Sequence, residues 1–142
     1  MRILLVDDET FNLILLENLI QMNFPNIKME TALNGKLAFD KVKAADTQGT
    51  PFDLVFMDIN MPEMDGFQSS KLICSSFKML KLKTKPYIAA ITAYTSDEMK
   101  RKAYINGMDK FLTKPAQIQH VYTVIKRVLD RRFVTNTSQS KR

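Results

Sequence analysis

Short apolar runs alternate along this chain with longer segments whose apolar positions recur every three or four residues. The short runs predict strands over about 2–6, 27–33, 53–57, 86–91 and 109–112. The longer segments predict helices near 10–23, 35–45, 65–80, 96–106 and 116–132. Leu54–Met57 and Ile88–Ile91 contain no polar position, as expected of parallel strands covered on both faces. A β-α alternation of this kind calls for right-handed crossovers and a doubly wound parallel sheet. The last helix has the clearest period, carried by Ile118, Val121, Ile125, Val128 and Leu129. In the first helix, Leu15, Leu16, Leu19 and Met22 can supply the inward stripe. That leaves Phe11, Leu13 and Ile14 in excess of one buried face, a surplus suited to a partner as well as to neighbouring loops. Gly107 suits a left-handed end to the fourth helix, and Asn34-Gly35 punctuates the second strand. Ala45–Pro51 and Lys81–Lys85 read as loops. Residues 1–132 are expected to form one domain, and 133–142 a disordered basic tail.

The polar residues at the ends of the apolar runs carry the candidate chemistry. Asp7 and Asp8 end the first run, Asp58 the third, Thr92 the fourth, and Lys114 follows the fifth. In a parallel sheet all five collect at the carboxyl edge, where open α/β folds bind ligands. Two vicinal aspartates can also simply cap the next helix. The stretch after Asp58, DINMPEMDG, favours a site: Pro62 fixes one backbone angle, and Gly66 permits conformations closed to other residues. Three neighbouring carboxylates resist joint ionisation unless a cation joins them. Mg²⁺ suits such oxygen ligands, with Mn²⁺ an acceptable substitute. Asp58 can then attack phosphorus as a carboxylate and form an aspartyl phosphate. Lys114 offers a point charge for the phosphoryl oxygens, and Thr92 a hydroxyl donor. Pro115 makes the Lys114–Pro115 bond a candidate cis peptide, an isomer the sequence leaves open.

Composition narrows the classes. The chain has 142 residues, 45% apolar and 25% charged, which suits one globular domain. No apolar stretch is long enough to cross a bilayer. The single cysteine, Cys74, excludes an internal disulfide and fits a reducing, cytoplasmic setting. The net charge of +6 hides an asymmetry: residues 1–66 hold 11 acids and 5 bases, and residues 67–142 hold 4 acids and 16 bases. A basic half raises nucleic acid as a partner. The lysines are scattered among helices and loops, however, with no zinc-ligand spacing or recognition motif. Neither nucleic acid nor membrane contact is therefore expected of this chain. The only histidine, His120, lies within the last helix and reads as a surface or packing residue.

LLVDDE, MDINMPEMDG, ITA and KFLTKP, in this order and spacing, resemble the receiver domain of two-component response regulators over about residues 2–132. The resemblance implies a flavodoxin-like α/β fold: five parallel strands in order 2-1-3-4-5, flanked by five helices. It implies that Asp58 is the phosphoacceptor, and that Asp7, Asp8, Asp58 and the backbone carbonyl of Asn60 hold Mg²⁺. Thr92 corresponds to the switch hydroxyl and Lys114 to the phosphate-binding lysine. Phe111 corresponds to a rotating aromatic, often tyrosine, whose hydroxyl is missing here. The stretch DDETFN, with Asn12, resembles receivers of hybrid histidine kinases. The implied function is a signalling switch, fed by a histidine kinase or histidine phosphotransfer protein and read through the fourth helix, fifth strand and fifth helix. Such a chain would catalyse only its own phosphorylation and dephosphorylation, and would not be a turnover enzyme. It would be cytoplasmic, as a separate protein or the cytosolic part of a membrane-bound kinase, with a homodimer on phosphorylation left open. No output domain is expected after the fifth helix. Two other classes remain in view. A phosphohydrolase with an aspartyl phosphate would usually carry Asp-x-Asp, but Asn60 stands in the second place. A constitutive binding module would often lack an acid, the acceptor or the lysine, and all are present. Asn60 and Tyr94 are expected to flank the path of a hydrolytic water, with the Tyr94 ring excluding it.

Overall fold

Strands and helices alternate throughout. They are β1 (Arg2–Val6), α1 (Thr10–Asn23), β2 (Lys28–Ala32), α2 (Gly35–Thr47), β3 (Leu54–Asp58), α3 (Gly66–Met79), β4 (Tyr87–Thr92), α4 (Asp97–Ile105), β5 (Lys110–Thr113) and α5 (Ile118–Ser140). A computed structural model describes residues 1–82 and 84–140, with the backbone alone from 133 to 140. The strands form one parallel sheet in order β2-β1-β3-β4-β5.

Burial explains why the central strands are apolar at consecutive positions. Every residue of β3 and β4 is buried, because helices cover both faces of the sheet. Side chains alternate between the faces. Leu4, Val6, Val55, Met57, Ile88 and Ala90 pack towards α2, α3 and α4. Ile3, Leu5, Leu54, Phe56, Ala89 and Ile91 pack towards α1 and α5. The edge strand β2 is covered less and keeps an alternating exposed pattern. Asn34 caps α2 by accepting the Leu37 N–H at 2.8 Å. Asp65 and Gln68 close a reciprocal capping box at the start of α3. Gly107 has φ +89°, the left-handed conformation predicted at the end of α4.

Two details differ from the sequence reading. In α1 the buried residues are Leu13 and Ile20, with Leu16 and Leu19 half-buried; Leu15 and Met22, assigned inward, are 52% and 83% exposed. The eight apolar residues of this fourteen-residue helix are spread around its circumference, so amphipathic contrast is low and periodicity does not select its inner face. The second difference is at α5, whose backbone continues to Ser140 rather than ending near 132. The side chains of the expected tail, 133–142, lie outside the described residues. Among the described residues no helix is long and apolar enough to cross a membrane.

Candidate functional site

Sheet register assembles the site. Val6 pairs with Met57, so Asp7 and Asp58 emerge side by side from β1 and β3. Asp58 pairs with Ile91, which puts Thr92 one residue further along β4. Thr92 pairs with Thr113, and Lys114 follows at once. The Lys114 N–H donates to the Thr92 carbonyl at 2.8 Å, fixing the start of the β5–α5 loop. The Lys114–Pro115 peptide bond is cis.

The lysine side chain reaches back across the sheet edge. Its Nζ lies 2.8 Å from Asp7 Oδ2 and 3.4 Å from Asp58 Oδ1. Asp7 and Asp58 are each 6% exposed, Thr92 is fully buried, and Asp8 is exposed at the rim. Neither aspartate caps α1: the capping position is Glu9, without a side-chain cap hydrogen bond. Instead Asp7 Oδ1 accepts the Glu9 N–H at 2.9 Å, leaving Oδ2 for the lysine. Asn12 Nδ2 also approaches Asp7 Oδ1, at 3.5 Å. Sequence reasoning used Asn12 only as a mark of subtype and missed this contact.

The loop after β3 needs its glycine. The Gly66 N–H donates to the Ile59 carbonyl at 2.8 Å, and a Cβ at Gly66 would collide with the Asp58 carbonyl. Asn60 sits in this loop with its side chain exposed. Thr92 Oγ1 accepts the Tyr94 N–H at 3.2 Å. The Tyr94 ring is 61% exposed, so shielding of Asp58 would require it to move. Phe111 is already turned inward, in the core beneath α2, α3 and α4.

Electrostatics mark Asp58 as the unusual acid. Burial pushes its carboxyl up from 3.8 to about 6; the Asp7 charge adds to this, Lys114 opposes it, and Asp8 adds a smaller upward effect. Lys114 is pulled down by burial, but its hydrogen bond to Asp7 and the charges of Asp58 and Asp7 leave it above the usual lysine value. One oxygen each from Asp7, Asp8 and Asp58 lies within 4.8 Å of the others. Octahedral Mg²⁺, with oxygens at about 2.1 Å, spans about 3 Å between adjacent ligands and about 4 Å between opposite ones. The 4.8 Å limit is wider than that, so the three oxygens would draw in around the ion; their carboxylate chemistry suits a small divalent cation, which would also relieve the crowding that raises Asp58. A cavity of about 520 Å³, unanticipated from sequence, adjoins the acids between α1 and the β5–α5 loop. Leu13, Leu16, Leu19, Phe56 and Pro115 line its apolar part.

Comparison with known proteins agrees with this geometry. Over 125 residues, 87% of its length, the chain is 33% identical to the osmosensing histidine protein kinase SLN1 of Saccharomyces cerevisiae. It spans 10% of that protein and 13% of the sensor histidine kinase GacS of Pseudomonas protegens, to which it is 36% identical. Among solved structures, the receiver domain of the histidine kinase CKI1 from Arabidopsis thaliana, complexed with Mg²⁺ and BeF₃⁻, superposes with a TM-score of 0.77 at 28% identity, covering 91% of this chain and 89% of that one. The receiver domain of the S. cerevisiae response regulator Ssk1, crystallised with the histidine phosphotransfer protein Ypd1, is also similar. Its match has a TM-score of 0.74 at 26% identity, covering 86% of this chain and 83% of the matched chain. The family model of the response regulator receiver domain matches residues 3–126, and the chain belongs to that family.

Proposed function

We propose that this receiver takes a phosphoryl group from a phosphohistidine donor onto Asp58. The observation carrying the proposal is the placement of Asp58, buried beside Asp7 with the Lys114 ammonium 3.4 Å from its carboxylate. In the transfer, an Asp58 oxygen forms a bond to phosphorus, the phosphorus–nitrogen bond breaks, and the imidazole leaves with its electron pair and takes a proton from solvent. Asp58 must act as a carboxylate, and a group with a pKa of about 6 is mostly ionised at neutral pH even without metal. Asp7, Asp8, Asp58 and the Asn60 carbonyl would hold Mg²⁺, whose charge would offset the repulsion between donor and acceptor. Lys114 exchanges its contact with Asp58 for a phosphoryl oxygen, and the Thr92 hydroxyl donates to another. The reaction consumes no outside substrate beyond the donor, so the chain acts as a switch and not as a turnover enzyme.

The donor is a histidine kinase or histidine phosphotransfer protein, acting in the cytoplasm. Phe11, Ile14, Leu15 and Met22 expose an apolar strip on α1, whose first turn starts beside Asp7. Such a strip suits a helical phosphotransfer partner. Output passes through α4, β5 and α5, where contact of Thr92 with the phosphoryl group moves the β4–α4 loop and Phe111 stays packed inward. Phosphorylation is tested by intact mass after incubation with a small acyl phosphate and Mg²⁺. The parent gains one phosphoryl group, and neither Asp58→Asn nor the chelator-treated parent does. An unchanged gain in Asp58→Asn refutes the assignment.

A further inference from the structure

The amino edge of the sheet, opposite the acidic pocket, collects basic residues that are dispersed in the sequence. Lys78 closes α3, and Lys81 and Lys85 follow in the connection to β4; all three are exposed. From α5, the Arg131 guanidinium lies 5.9 Å from the ring centre of Tyr87, the first residue of β4. Arg127, also exposed, is near enough to act electrostatically on the same tyrosine. Three acids of this pole are engaged with backbone: Asp46 accepts the Thr84 N–H, Asp53 the Arg2 N–H, and Asp109 the Ile88 N–H. Large apolar side chains stand among the bases, with Met79 81% and Leu80 55% exposed.

We propose that this pole docks the receiver on an anionic lipid surface, with Lys78, Lys81, Lys85 and Arg127 among the headgroups and Met79 and Leu80 entering the interface. The scatter of lysines along the sequence argues against membrane contact; their collection at one end of the fold reverses that argument. Bases near an anionic leaflet are attracted over about a Debye length, and exposed aliphatic side chains add a contribution that does not depend on salt. Nucleic acid would use the same bases. Its bases stack on planar side chains, however, and the exposed apolar groups of the α3–β4 connection are aliphatic. The acids Asp7, Asp8 and Asp58 lie at the opposite edge, so the molecule's charge separation would turn them away from the lipid. The pocket would then stay open to a protein donor.

Cosedimentation with vesicles tests this, using phosphatidylcholine alone and phosphatidylcholine with phosphatidylserine. The chain should bind the mixed vesicles and not the neutral ones, more weakly as salt rises. The triple variant Lys78→Glu/Lys81→Glu/Lys85→Glu should lose binding by more than about tenfold. Met79→Ser/Leu80→Ser should lose several-fold and keep the salt dependence. Both variants should accept phosphoryl from a small donor at the parent's rate, which checks their folding without involving the pole. No binding to mixed vesicles, equal binding to neutral ones, or unchanged binding by the triple variant overturns the proposal. A single-stranded oligonucleotide bound more tightly than mixed vesicles, and indifferent to Met79→Ser/Leu80→Ser, would assign the pole to nucleic acid instead.

Discussion

Asp58→Asn should make the metal-free protein more stable, although it removes the residue on which the proposed function depends. Folding moves the Asp58 carboxyl from 3.8 to about 6, mainly by burying it and setting it beside Asp7. A carboxyl raised on folding holds its proton more tightly in the native state, so its contribution is most favourable below pH 3.8. Stability is lost as pH rises from there to about 6, and above that the full cost of burying the charge remains, about 3 kcal/mol. This value already includes the opposing attraction of Lys114. Asparagine keeps the shape and carries no charge, and Lys114 retains its 2.8 Å contact with Asp7. Urea denaturation in chelator should therefore show Asp58→Asn more stable than the parent by about 1–3 kcal/mol at pH 8. The advantage should shrink towards zero near pH 4. Added Mg²⁺ should stabilise the parent more than the variant, because a ligand stabilises only the state that binds it. A variant less stable than the parent at pH 8, or an advantage independent of pH, would refute the electrostatic account.

Three further outcomes follow from the geometry. Gly66→Ala should destabilise the protein by about 1–3 kcal/mol, read by denaturant midpoint, because its Cβ meets the Asp58 carbonyl in a packed loop. It should also slow phosphorylation, by displacing the acceptor. Phe11→Ala and Ile14→Ala remove side chains that are 68% and 49% exposed, so stability should change little while transfer from a protein donor slows and small-donor phosphorylation is spared. Equal losses with both donors would instead indicate a folding defect. NMR shift changes on adding a phosphoryl analogue should spread from Thr92 through α4 to Gly107 and Phe111; changes confined to Asp7, Asp8 and Asp58 would count against a switch through α4, β5 and α5.

The site was legible in the sequence because strand ends are. A short apolar run bounded by turn residues suits a covered strand, its first polar residue marks where cover ends, and parallel order puts all such ends on one edge. Asp7, Asp58, Thr92 and Lys114 are therefore neighbours by register before any side-chain contact is considered. The inner face of α1 was not legible. Its apolar residues lie on more than one side of the helix, so pattern contrast is weak, and packing against the sheet selects Leu13 and Ile20 over Leu15 and Met22. The cavity beside the acids follows from that choice of face, so nothing local in the sequence announces it.

Charge presents the converse case. Lysines and arginines between 78 and 131 look dispersed when read along the chain, and dispersion suggests a merely solvated surface. In a parallel α/β fold, every helix returns the chain to the amino edge of the sheet. Helix ends and the connections after them therefore share one pole, whatever their separation in sequence. Lys78 and Lys85 belong to the α3–β4 return, while Arg127 and Arg131 belong to the descending half of α5. The same topology that gathers four strand ends into an acidic pocket gathers these returns opposite it. The chain's +6 net charge thus gives no sign of the distance between the acidic pocket and this basic pole. Reversing charge at Lys78, Lys81 and Lys85 should consequently act on vesicle binding while leaving Asp58 chemistry at the other edge unchanged, since a screened surface charge has little reach beyond about 10 Å.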